Sequence, residues 1–179
     1  MKTDVIKVDN QENGYEDVLL ETRKAANYRG LSHKQAVQLQ LIAEEMLSML
    51  HSITGEMEAS FWIESGKDNA FDMFLSAKTM LNRDERRQLI SSASSGKNAA
   101  ANSFLGKLRD IFENAMVPEP DYSVNELPDD VINDLYNREI EDPVWDRYEQ
   151  SILLRLTDNV KIDIRGQSVC MTVTKKFEE

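Results

Sequence analysis

Two rhythms of apolar and polar residues alternate along this chain. "VIKVD" (Val5 to Asp9) switches character at every residue, which predicts a short strand. In "GYEDVLLETRKAANYRG" the apolar positions Val18, Leu19, Thr22, Ala25, Ala26 and Tyr28 recur at helical spacing, and Gly30 supplies a C-terminal stop. Ser32 then caps a longer helix that Gly55 ends. Val37, Leu39, Ile42, Ala43, Met46, Leu50 and Ile53 form its apolar stripe, with Glu45, Ser48, His51 and Ser52 on the polar or boundary side.

Further on the period returns to two. "EASFWIES" and "AFDMFLSA" are aromatic and β-branched runs joined by "GKDN", which predicts an antiparallel hairpin with Phe61 and Trp62 in the core. "NRDERRQLISSA" predicts a helix capped by Asn82. "SFLGKLRDIFENAM" predicts another, burying Phe104, Leu105, Leu108, Ile111, Phe112 and Ala115. Pro-rich "VPEPDYSVNELPDD" reads as a surface excursion, followed by short helices at 129–138 and 144–157. In "VKIDIRGQSVCMTVTKKF", Val160, Ile162 and Ile164 alternate with polar residues, as do Val169, Met171 and Val173 after the turn, which predicts a second hairpin with one buried face.

This order predicts an α/β (α+β) two-layer sandwich, with helices on one face of a mixed, largely antiparallel sheet. A single domain would span 1–179, with an acidic insertion at about 118–142.

One stretch fits neither rhythm. "SSASSGKNAAANS", Ser91 to Ser103, has no aromatic or branched aliphatic side chain, so it can bury little. It is either a loose connector or a loop that closes over something small.

Composition narrows the function classes. The 179 residues are 41% hydrophobic and 30% charged, as in a globular domain, and no apolar run reaches the length of a bilayer span. "MKTDVIKVDN" lacks the apolar core of an export signal, and the single cysteine, Cys170, forms no internal disulfide. Both point to the cytoplasm. The formal charge is -11, and between Glu119 and Glu149 eleven acids face two bases, Arg138 and Arg147. Such a surface repels nucleic-acid phosphates and anionic membranes. It serves as a solvated face or as a docking face for a basic partner.

Catalytic motifs are few. A Walker A phosphate loop needs Gly, four residues, then Gly-Lys-Ser/Thr. Around "SSGKN" the first position is Ser91 and Asn98 follows Lys97, so that motif fails. His33 and His51 form no zinc-binding helix, no Gly-x-Ser-x-Gly elbow is present, and Cys170 falls in mid-strand as a small packed side chain. No metal ligands are assigned from sequence.

The element order does resemble a known family. The helix "LIAEEMLSMLHSITGE" precedes the hairpin "EASFWIESGKDNAFDMFLSA", then the small-residue run, the helix start "SFLGKLRDIF" and the closing hairpin "VCMTVTKKF". This resembles, over nearly the whole chain, the ATP-binding domain of the histidine-kinase-like ATPases (the GHKL or Bergerat fold), in particular the anti-sigma-factor serine kinases. The resemblance implies ATP and magnesium as ligands. Glu45 best matches the family's acid, a general base in such kinases, with Met49 one turn on where the family carries asparagine, or Ser48 if Glu44 is taken as the acid instead. Ser91–Ser103 matches the ATP lid, with Ser95, Gly96 and Lys97 toward phosphate and Gly106 in the helix that follows. The family's Asp-x-Gly-x-Gly motif is missing after "FDMFLSA". A protein partner is implied, sigma-factor-like or another regulator, and homodimers occur in several branches. Beside this stand two other readings, a non-enzymatic interaction scaffold and a small-molecule sensor on the same fold.

Overall fold

A computed structural model describes residues 1–9, 11, 13–54, 58–66, 68–102 and 153–178 of the chain. The helix expected from Phe104, Gly106 within it, the proline-rich stretch, the acidic insertion and the helix at 129–138 lie outside the described residues, as does most of the helix at 144–157.

Five strands, β1 (Ile6–Val8), β2 (Ala59–Ser65), β3 (Ala70–Lys78), β4 (Asn159–Arg165) and β5 (Ser168–Lys176), form one sheet in the order β1-β2-β3-β5-β4. Every pairing between them is antiparallel. The expected, largely antiparallel sheet is thus antiparallel throughout its described strands, with no mixed part. Its two hairpins sit side by side, β3 against β5, so each neighbour runs opposite to the last.

The alternation read from sequence sorts the two faces. Phe61, Leu75, Met171 and Ile162 stand in one rung across four strands, and Ile63, Met73, Val173 and Val160 in the next; all eight are buried. Between these rungs, on the other face, lie Trp62, Phe74, Thr172 and Lys161. Phe61 is a core residue as expected, but Trp62 is not in the core. As its chain neighbour it must point the opposite way. Its ring stacks on Phe74 at 4.9 Å between centroids on the outer face.

Helices α1 (Tyr15–Tyr28), α2 (His33–Thr54) and α3 (Arg83–Ser91) share the buried core with the inner face of the sheet. Gly14 opens α1 at a φ of 83°, and a Cβ there would meet the Lys7 carbonyl oxygen, so the entry to α1 is packed directly on β1. The Ser32 cap is reciprocal: Gln35 N–H donates to Ser32 Oγ, and Ser32 N–H donates to Gln35 Oε1. Asn82 and Glu85 repeat the device at the start of α3.

Along α2, Leu39, Ile42, Ala43, Met46, Leu50 and Ile53 are buried, joined by Ala36, Leu47 and Met49. Val37, placed in the stripe by sequence, is 48% exposed. At about 100° per residue it falls opposite the buried Met46, and nearly opposite Leu39 and Ile53, on the helical wheel. Tyr28, at the C-terminal end of α1, is exposed as well. Among the described residues, no helix is long and apolar enough to cross a membrane.

Candidate functional site

The residues that a nucleotide site would need come from two places, the boundary side of α2 and the small-residue run after α3. On α2, Glu44 is exposed, and Glu45 and Ser48 are half-buried beside the apolar arc. Met49, one turn beyond Glu45, is 2% exposed and belongs to the hydrophobic core. A magnesium ion prefers oxygen ligands, and a thioether enclosed by aliphatic side chains offers it none. Among the described residues no group of three or more His, Cys, Asp or Glu side chains is placed to hold a metal ion, and both His33 and His51 are exposed.

The small-residue run is a built element up to Asn102. Ser92, Ala93 and Asn98 are buried, whereas Ser94 to Lys97 are exposed. Asn98 bridges to Ile162 in parallel fashion, and a 3-10 turn follows at Ala99–Asn102. The carboxamide of Asn98 does the work of a peptide group. Its Nδ2 donates to the Ile164 carbonyl at 3.0 Å, and its Oδ1 accepts from the Ile164 N–H at 2.9 Å. Four residues earlier, Ser94 N–H donates to the Val160 carbonyl at 2.9 Å and Ser94 Oγ accepts from the Val160 N–H at 2.7 Å. The run is thus laid along the outer edge of β4.

Ser95, Gly96 and Lys97 form the outward turn of this strap. Gly96, at a φ of 59°, donates its N–H to the Ala93 carbonyl, and Lys97 N–H donates to Ser95 Oγ. Ala100 N–H donates to Asn98 Oδ1, and Ala101 N–H to the Asn98 carbonyl. A phosphate cradle works by offering several unengaged backbone N–H groups to one anion. In this strap the amides of Ser94, Gly96, Lys97, Ala100 and Ala101 are all engaged within the protein.

The structure therefore brings Glu45, Ser48 and Met49 together on α2, and Ser95, Gly96 and Lys97 together in the strap turn; Gly106 lies outside the described residues. Sequence reasoning missed Ser94 and Asn98. The signal available was an asparagine, whose side chain carries a donor and an acceptor in peptide-like spacing, inside a run with nothing else to bury.

Cys170 is half-buried on the outer face, opposite Ser76 of β3 and Asp163 of β4. Burial pushes its thiol above the ordinary value, the charge of Asp163 acts the same way, and a hydrogen bond with Thr172 opposes both. An elevated thiol is a poor nucleophile at neutral pH, in keeping with a packed side chain.

No protein-family model matches this chain, and no curated protein matches it at a significant level of similarity.

Proposed function

We propose that this chain is a non-enzymatic regulatory module on a scaffold of the histidine-kinase-like ATPase type, acting by holding a protein partner rather than by transferring phosphate. The scaffold part of this reading rests on the element order: a long helix, a hairpin, a helix with its loop, and a closing hairpin on one sheet. The partner class implied by the resemblance is a sigma-factor-like or other regulatory protein.

The single observation that carries the non-enzymatic reading is the closed strap. Phosphoryl transfer depends on donors and a metal that neutralise the phosphates. Here the Ser94 amide bonds to β4, and those of Gly96, Lys97, Ala100 and Ala101 bond to oxygens within the strap instead. Met49 agrees with it, since the position one turn after Glu45 has turned inward to fill the core.

Thermal unfolding with and without millimolar ATP or ADP plus magnesium tests this reading. A ligand present at about 100 times its dissociation constant stabilises by about 2.7 kcal/mol. That corresponds to a rise of about 5–10 °C for a domain of this size. The expected outcome is no shift with either nucleotide. A shift of that size, abolished by Lys97→Ala together with Glu45→Gln, would overturn the reading and restore an ATP-dependent kinase.

A further inference from the structure

The outer face of the sheet, away from the helices, carries a second kind of chemistry. Near the ends of β1, β2, β3 and β5 lies a cleft of about 570 Å³, within the range of small-molecule sites. The strand register explains the hollow. Ser60 stands opposite Ser76, one same-face step from the stacked Trp62 and Phe74, so small hydroxyl side chains adjoin large rings. Lys7 pairs with Ser60 on the β1 side, and Lys78 pairs with Ser168 on the β5 side.

Lys7, Ser60, Ser76, Lys78 and Ser168 all line the cleft. Lys7 Nζ donates to Ser60 Oγ at 2.7 Å, which holds one ammonium against a floor hydroxyl. Asp9 also lines the cleft, and its carboxylate, which keeps its charge, is engaged by the turn that follows β1. It accepts hydrogen bonds from the N–H groups of Gln11 and Asn13 and from Asn13 Nδ2. Glu58, the other acid in the lining, is exposed to water. Beside these two carboxylates the cleft offers a ligand two ammonium groups and three serine hydroxyls, of which Ser60 Oγ is bonded to Lys7. An apolar ligand would strand those hydroxyls, whereas a phosphate suits lysine, which binds it as a point charge.

We infer that this cleft binds a small phosphorylated polyol of the sugar-phosphate class, its phosphate held by Lys7 and Lys78 and its hydroxyls by Ser60, Ser76 and Ser168. The site is independent of α2 and of the strap, so it stands or falls separately from the regulatory reading above.

Amide NMR titration of the whole chain tests it, with ribose 5-phosphate, ribose and inorganic phosphate as separate probes at matched ionic strength. Ribose 5-phosphate should give saturable shifts at the amides of Ser60, Ser76, Lys78 and Ser168, and ribose alone should give none. Combined Lys7→Ala and Lys78→Ala, two exposed positions, should weaken binding at least tenfold and leave the thermal midpoint unchanged. No saturable shift at those four amides, or undiminished binding in the double variant, overturns the site. Inorganic phosphate binding at least tenfold more weakly than ribose 5-phosphate supports the hydroxyl contacts; equal affinity overturns the polyol assignment.

Discussion

Both main-chain polar groups of Ile164 are taken by one side chain, the carboxamide of Asn98. Ser94 treats Val160 in the same way, with its N–H and its hydroxyl. The two residues are four apart, as are Val160 and Ile164, so the strap keeps step with β4. An open strand edge invites pairing with other chains, and covering it with a loop is one of the ways proteins prevent this. A run that has almost nothing to bury is well suited to the task, because it can lie close to a backbone.

Asn98→Ala should lower the unfolding free energy by about 2 kcal/mol, since it leaves buried groups of Ile164 without partners. Urea denaturation gives the loss, and hydrogen exchange locates it. The Ile164 amide should exchange faster than in the parent, with the Val160 amide changed less. A variant within about 0.5 kcal/mol of the parent, the usual range for surface substitutions, would show that the edge bonds contribute little.

Met49→Asn introduces the residue type of the resembled family at a position enclosed by the core. It exchanges apolar burial for an amide without a partner, so a loss of at least about 3 kcal/mol is expected. No thermal response to magnesium and ATP should appear in return. A stable variant that gains such a response would place this position in a nucleotide site after all.

Two glycines with left-handed backbone separate strain from collision. Gly30, at a φ of 72°, has open space where a Cβ would stand. Gly30→Ala should therefore lose only the conformational term, about 1 kcal/mol. Gly14 has the Lys7 carbonyl oxygen in that space as well, so Gly14→Ala must move β1 or α1. It should lose at least twice as much by chemical denaturation, and equal losses would contradict the close approach of α1 to β1.

Acid should weaken the fold through two carboxylates. Asp9 is held below the ordinary carboxylate value chiefly by the hydrogen bond from the Asn13 side chain. Glu64 is held below it chiefly by Lys2, at 2.8 Å. A depressed value in the folded state means that the contribution is complete above the unfolded value of about 4, and is lost as pH falls through the folded one. The urea midpoint should decline between about pH 5 and pH 3, and Asp9→Asn with Glu64→Gln should flatten that decline. An unchanged slope in the double variant would assign acid sensitivity to other groups.

Much of the architecture was legible because its causes are local. Strands β4 and β5 alternate so cleanly that their buried positions, Val160, Ile162 and Ile164 with Val169, Met171 and Val173, could be read before any fold was known. Asn82 announced the start of α3 as its cap. Local pattern also misled where it ran past the true contact. Val37 was drawn into the stripe of α2, and Trp62 into the core, although strand alternation already assigned it to the opposite face.

Among the described residues, the sequence by itself determined which segments are strands and helices and, in β4 and β5, which face is apolar, because period, capping and turn chemistry act within a few residues. Only the tertiary structure decided the rest. Met49 is buried because the fold covers a wider arc of α2 than one stripe predicts. The Ser91–Asn102 strap has no hydrophobic pattern to read, and its role is set by Val160 and Ile164, each 66 residues beyond its partner in the strap. The cleft under Lys7 and Lys78 likewise exists only where β1, β2, β3 and β5 align, since strand pairing fixes which small side chains become neighbours.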